Sequence, residues 1–305
     1  MKTPKIQTTI AFVLIAILLS ACGADTSVTT NTGALNVTVS ILPEKYFVER
    51  IGGDYVNVNV MVGPGDSPHT YEPKSDQMTA LSQASVYFSI GVDFENAWMD
   101  RIAAANPDMQ IVDVSANLEK IPMVAHHHEG ETATANSEDE GELDPHVWTS
   151  PENVKVIAQS IYQTLAESDP AHQAEYQANL DAFLQDIDSL ESDIQTSLAN
   201  ITSHTFIVFH PSWGYFARDF GLEQIPIEIQ GSEPSAQELA GIIDEAKAEN
   251  TKVIFGQPEF STKTADYIAQ EINGQVILID PLAEDWLENL RAVAQTFTEV
   301  LNSNE

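Results

Sequence analysis

Cysteine is almost missing from this sequence of 305 residues; the one present is Cys22. That excludes disulfides within the chain and any zinc site built from several thiolates. Basic residues are scarce: 13 Lys and Arg stand against 46 Asp and Glu, a formal net charge of -33. A surface so acidic repels phosphate backbones, so nucleic acid is excluded as a partner. It would gather cations without marking a site, and an acidic surface serves solubility as well. A long hydrophobic run is also missing. The most apolar stretch, residues 10–19, has roughly 10 residues where a bilayer span needs about 20.

That short run has a context. Lys2 and Lys5 precede it, and Leu19-Ser20-Ala21-Cys22 closes it. A positive start, a short apolar segment and small residues before a cysteine describe a secretory signal, and the last four residues resemble a bacterial lipobox. The resemblance implies a lipoprotein signal peptide over residues 1–21, cleavage before Cys22 and lipid on that cysteine. An ordinary signal peptide with an incidental cysteine is the other reading. Residues 22–34 are small and polar, as a flexible tether requires.

Beyond the tether, short β-rich runs alternate with helical patterns. Residues 37–41, 56–62, 86–90 and 111–114 are expected as buried strands, with helices at 46–51 and 77–84. A second set repeats the scheme with strands at 205–209, 225–229, 253–255 and 276–279, and helices at 213–220, 237–248 and 264–272. Ser235 and Glu238 have capping-box spacing, and Gly221 and Gly274 are placed to stop helices. Strands alternating with helices predict an α/β fold with a mostly parallel sheet in each half. The halves are expected at 35–170 and 202–305. Between them, residues 171–201 contain neither Pro nor Gly. Tyr176, Leu180, Phe183, Leu184, Ile187, Leu190, Ile194 and Leu198 recur there at spacings of three and four, predicting one amphipathic helix. Two shorter helices with an unmarked break would fit the same pattern. Residues 126–143 have almost no apolar content and begin with His126, His127 and His128. They read as a surface loop, either an auxiliary metal-holding segment or a merely solvated one.

Four residues stand where α/β proteins gather their ligands, beyond the carboxyl ends of strands or at the start of a helix. His69 follows the strand at 56–62 in a loop stiffened by Gly63, Pro64, Gly65 and Pro68. His146 lies in Asp144-Pro145-His146-Val147-Trp148, just before a helix opened by Ser150 and Pro151. His210 directly follows the strand at 205–209, and Asp280 directly follows that at 276–279. Each alone is an unremarkable loop residue. Together, three imidazoles and a carboxylate suit tetrahedral Zn(II). His172 and His204 read as surface residues.

Five segments in order carry a wider resemblance: Pro68-His69-Thr70-Tyr71-Glu72-Pro73, Asp144-Pro145-His146-Val147-Trp148, His210-Pro211-Ser212-Trp213-Gly214-Tyr215-Phe216, Gly231-Ser232-Glu233-Pro234-Ser235 and Asp280-Pro281-Leu282. With them the chain resembles the substrate-binding lipoproteins of ATP-driven zinc and manganese importers, the cluster A-I binding proteins. The resemblance implies two α/β lobes joined by one long rigid helix. It also implies a metal in the cleft between the lobes, held at positions that fall on His69, His146, His210 and Asp280. It further implies an extracytoplasmic monomer, anchored by lipid on Cys22, that delivers Zn(II) to a membrane permease with its cytoplasmic ATPase. Relatives that resemble manganese binders carry a carboxylate at the position of His210. Imidazole there favours zinc over the harder Mn(II). The zinc-type relatives often have a longer His-rich loop than His126–His128.

Three rivals stay open at this level. One is a manganese-binding relative. A second is a zinc-dependent hydrolase, for which Glu72 is a conceivable general base. However, four protein ligands are available, and there is no His-Glu-x-x-His helix and no nucleophile elbow. The third is an adhesin-like surface lipoprotein whose metal is structural.

Overall fold

The computed structural model describes residues 33–123, 143–228 and 232–302. The first half runs β1 (Leu35–Val39), α1 (Leu42–Gly52), β2 (Val56–Val60), α2 (Ser75–Leu81), β3 (Val86–Ser89), α3 (Asp93–Ala105) and β4 (Gln110–Asp113). Two helices follow, α4 (Pro151–Ser168) and α5 (Gln173–Leu198). The second half runs β5 (Thr205–Val208), α6 (Gly214–Phe220), β6 (Glu223–Pro226), α7 (Ala236–Ala248), β7 (Val253–Gly256), α8 (Lys263–Glu271), β8 (Gln275–Leu278) and α9 (Trp286–Asn302).

Each half holds a four-stranded, wholly parallel sheet, ordered β2-β1-β3-β4 and β6-β5-β7-β8. The second order is the first repeated. The reason is visible in composition: Val37, Thr38 and Val39 are all buried, so β1 is covered on both faces, as a parallel sheet flanked by helices requires. In both sheets the chain leaves the first strand to one side and returns on the other. The crevice that ligands favour therefore opens beyond the ends of β1 and β3, and of β5 and β7.

The long helix is continuous. α5 has 26 residues, about 39 Å at 1.5 Å per residue. Its buried stripe is Tyr176, Leu180, Phe183, Ile187, Leu190, Ile194 and Leu198, with Leu184 half-buried at its edge. A short 3-10 turn, Pro170–His172, precedes it. α5 packs against α1, α4 and α9. α9 is amphipathic and lies beyond the last strand expected from sequence; it carries the connection back across the molecule. Trp286, at its start, meets Phe47 of α1 edge-on at 5.2 Å. Phe297 meets Phe206 at 4.7 Å and Phe255 at 4.9 Å. One apolar cluster thus includes residues of both sheets and of the helices between them, while a smaller one lies around Ile207, Ile242 and Ile268.

Helix ends follow their sequence signals with one correction. Ser150 caps α4 by accepting from Asn153 N at 3.0 Å, and the Ser235–Glu238 capping box forms at α7. Gly221 takes the left-handed conformation after α6 (φ 68°). At the end of α8 it is Asn273, not Gly274, that is left-handed (φ 52°). Gly274 donates its N–H to Ala269 O at 2.7 Å. A side chain on Gly274 would collide with Lys252 O, 2.3 Å from its Cβ position.

Candidate metal centre

His69 stands on the loop after β2, whose turns close through Asp66 N to Gly63 O (3.2 Å) and Thr70 N to Ser67 O (3.3 Å). Phe94 N donates to Pro68 O at 3.2 Å, tying this loop to the first turn of α3. The same turn supplies Asp93, and His69 Nδ1–H donates to Asp93 Oδ2 at 2.6 Å. That bond is the leading reason the Asp93 carboxyl titrates below its ordinary range.

His146 is held by the residue two places before it. Asp144 Oδ1 accepts from both His146 N (2.8 Å) and His146 Nδ1 (2.7 Å). Asp144 is itself fixed from the second half of the chain: Tyr215 OH donates to its carbonyl at 2.8 Å. Gly214 leaves room for its carboxylate, since a Cβ there would lie 2.7 Å from Asp144 Oδ2.

His210 leaves the end of β5 clamped by Gln257 beyond the end of β7. His210 N donates to Gln257 Oε1 at 3.2 Å, and Gln257 Nε2 donates to His210 O at 2.6 Å. Its Nδ1–H donates to Glu228 Oε2 at 2.5 Å, and Phe260 stacks on its ring at 4.8 Å. Burial, reinforced by the charges of His146 and His69, pushes the His210 imidazole down to about 4. At neutral pH its ring is therefore unprotonated at Nε2.

The three rings point their Nε2 atoms at one spot. His69 Nε2 lies 3.0 Å from His210 Nε2, and His210 Nε2 lies 3.2 Å from His146 Nε2. Ligand atoms of all three fall within 4.8 Å of one another. In each ring Nδ1 faces a carboxylate and carries the proton, so Nε2 presents a lone pair. With the rings neutral, three lone pairs converge, an arrangement that a cation satisfies. Nitrogen ligands of a tetrahedral zinc, with Zn–N about 2.05 Å, stand about 3.3 Å apart.

Asp280 follows β8, but it is not in that triad. Its Oδ1 accepts from Leu282 N at 2.7 Å, and its carbonyl accepts from Asn289 Nδ2 at 2.7 Å. Its carboxylate lies against Glu259, from the loop after β7. Burial first, and Asp280 second, push the Glu259 carboxyl up to about 7. Glu259 lines the cleft with the three histidines, and Pro68, Trp148 and Phe260 supply its apolar walls.

The remaining sequence-level candidates fall elsewhere. Glu72 is exposed and does not line the cleft. His204 is exposed. His172 is half-buried rather than free on the surface: it stacks on Tyr55 at 3.9 Å and bonds Asp169 at 2.6 Å. Cys22 and His126, His127 and His128 lie outside the described residues. Sequence reasoning did not single out Asp93, Glu228 or Glu259. Asp144 had a signal, its spacing of two from His146.

A family model described as ZnuA, zinc-uptake complex component A, periplasmic, matches residues 37–300. The chain belongs to this family. Its members are extracytoplasmic binding components of metal importers, which work with a membrane permease and an ATPase. A crystal structure of a ZnuA 138–173 deletion mutant plus zinc bound shares 45% identity with this chain. The match covers 88% of this chain and 99% of that one, with a TM-score of 0.81. The laminin binding protein Lmb of Streptococcus agalactiae, described as bifunctional with adhesin and metal transporting activity, is 25% identical. It covers 88% of this chain and 100% of its own, with a TM-score of 0.76. The manganese-binding lipoprotein MntA of Halalkalibacterium halodurans is 25% identical over 312 residues, 98% of this chain and 99% of the relative. Among the described residues no helix is long and apolar enough to cross a membrane.

Proposed function

We propose that this protein captures Zn(II) between its two lobes with His69, His146, His210 and Asp280 and hands it to the permease of an ABC importer. The lobes are assigned to residues 35–170 and 202–305, with residues 171–201 as the link. One observation carries the reading: three buried or half-buried imidazoles converge by Nε2 while each Nδ1 is held by its own carboxylate. Those carboxylates fix tautomer and ring orientation and make the nitrogen more basic, which is how histidine sites for transition metals are supported.

In this account Asp280 supplies the fourth ligand after a small local movement. The shared apolar core and the continuous α5 resist a wide hinge. Closure is therefore a shift of the loops around 69, 146, 210 and 280, favoured by the ion's higher affinity for the closed arrangement. A permease would read that difference. The chain acts as a monomeric binding protein rather than an enzyme, held to the membrane by lipid on Cys22.

Zinc is preferred over manganese because residue 210 is an imidazole, a ligand type that favours zinc over the harder Mn(II). Calorimetric zinc titration of metal-free wild type and His210→Ala tests the assignment. One zinc per chain in the wild type and a loss of at least about 10-fold, roughly 1.4 kcal/mol, in the variant are expected. Wild-type affinity in the variant would remove His210 from the site.

A further inference from the structure

Of the two carboxylates that line the cleft, Asp93 holds His69 and Glu259 has no assigned task. Glu259 lies beyond the end of β7, one residue before the Phe260 that stacks on His210. Its Oε2 is fully shielded, and no donor among the described residues reaches it. Glu95 and Glu228 are answered: Glu95 accepts from Ser40 Oγ and from the N–H groups of Ile90 and Gly91, and Glu228 accepts from His210, whereas Glu44 Oε1, outside the cleft, shares the condition of Glu259 Oε2. Its carboxyl is set against that of Asp280, and two such groups held side by side away from water cost stability unless a shared proton or a cation comes between them. Glu259 lines the same cleft as the three histidines, just outside the cluster that their ligand atoms form.

We propose that Glu259 is a metal-facing residue that offers the captured ion a second carboxylate oxygen beside Asp280, and that it sets how strongly the cleft discriminates between zinc and manganese. The inference rests on the three-histidine reading of the site and goes beyond it.

Two arguments carry the specificity. The first is charge. Three neutral imidazoles and one carboxylate leave a bound dication with a net positive charge in a half-enclosed cleft, whereas a second carboxylate neutralises it. The second is ligand character. Zinc is content with nitrogen-rich, four-coordinate surroundings. Manganese favours oxygen donors and a larger, octahedral shell. An extra oxygen therefore helps the harder ion more, and its removal sharpens the preference for zinc.

Competitive titrations of metal-free wild type, Glu259→Gln, Glu259→Ala and His210→Ala with Zn(II) and with Mn(II) test this, together with visible spectra of the Co(II)-loaded proteins. Both Glu259 variants are expected to lose Mn(II) affinity by roughly 10- to 100-fold, the range typical of carboxylates that tune a metal site. They should lose Zn(II) affinity by a clearly smaller factor. Their Co(II) bands should intensify, as tetrahedral cobalt absorbs more strongly than cobalt with five or six ligands. Equal losses for both ions with an unchanged Co(II) spectrum would make Glu259 a supporting residue and overturn the proposal, as would wild-type binding of both ions. If His210→Ala keeps wild-type zinc affinity, the three-histidine site itself fails and the Glu259 assignment falls with it. Loss in His210→Ala alongside no change in the Glu259 variants overturns the Glu259 assignment alone.

Discussion

His210 Nδ1 lies 2.5 Å from Glu228 Oε2, and this contact decides which edge of the ring meets the cleft. With the proton held at Nδ1, only Nε2 can take a metal. Glu228 reaches this place because the chain continues past Pro226 in register, with Ile227 N donating to Val208 O at 2.8 Å and Glu228 N to Phe209 O at 2.9 Å.

Removing that support should weaken the site without touching a ligand. Glu228→Ala is expected to lower zinc affinity by roughly 10- to 100-fold, measured by competition with a chromogenic chelator. Glu228→Gln retains an acceptor for Nδ1–H and should lose less. Equal losses in the two variants would mean that the carboxylate's charge, not the hydrogen bond, is what matters.

A second expectation concerns stability and pH. Glu44 is buried, and its Oε2 accepts from Ser40 N and Ile41 N at 3.0 and 3.2 Å. Burial first, then the neighbouring Glu95 charge, raise its pKa well above the ordinary value of 4.5. The folded chain therefore binds a proton that the unfolded chain has released. Stability contributed by this group is complete below the unfolded value and is lost as pH rises toward the folded one. Glu44→Gln keeps the acceptor and removes the charge. Its melting temperature should exceed that of wild type at pH 8, and the gap should close toward pH 5. A gap that widens on acidification would contradict the assignment.

A third concerns cooperativity. Phe297 touches Phe206, Phe216 and Phe255, and the cluster to which it belongs continues through α5 to Phe47. Phe297→Ala should cost about 3–5 kcal/mol in urea unfolding. Probes in the two sheets should still report one coincident transition. Two separated transitions would mean that the sheets have independent cores.

Much of this was legible in the sequence, for identifiable reasons. Strands such as β1, β3 and β7 are short β-branched or aromatic runs because both their faces are covered, and such runs stand out. Tyr176 to Leu198 has helical spacing with no Gly or Pro, and the chain makes the one helix that this permits. The strand expected at 225–229 instead forms at Glu223–Pro226, because its pairing with β5 begins two residues earlier, at Glu223 opposite Thr205. His69, His146 and His210 were conspicuous because the chain has only 8 histidines. Their partners were not. Asp93, Glu228 and Glu259 are three of 46 acidic residues, and only the crossing of strand ends in space separates them from the rest. The opposition of Glu259 to Asp280 was equally invisible, since it depends on β7 and β8 being neighbours.

The central claim is that three imidazoles from both halves of the chain hold one zinc. X-ray absorption at the zinc edge, on protein loaded with a single equivalent, tests it most directly. The account predicts three imidazole nitrogens at about 2.0–2.1 Å completed by carboxylate oxygen, with one imidazole lost in each of His69→Ala, His146→Ala and His210→Ala. A zinc shell with fewer than three imidazoles in the wild type, or one unchanged by these substitutions, would contradict it.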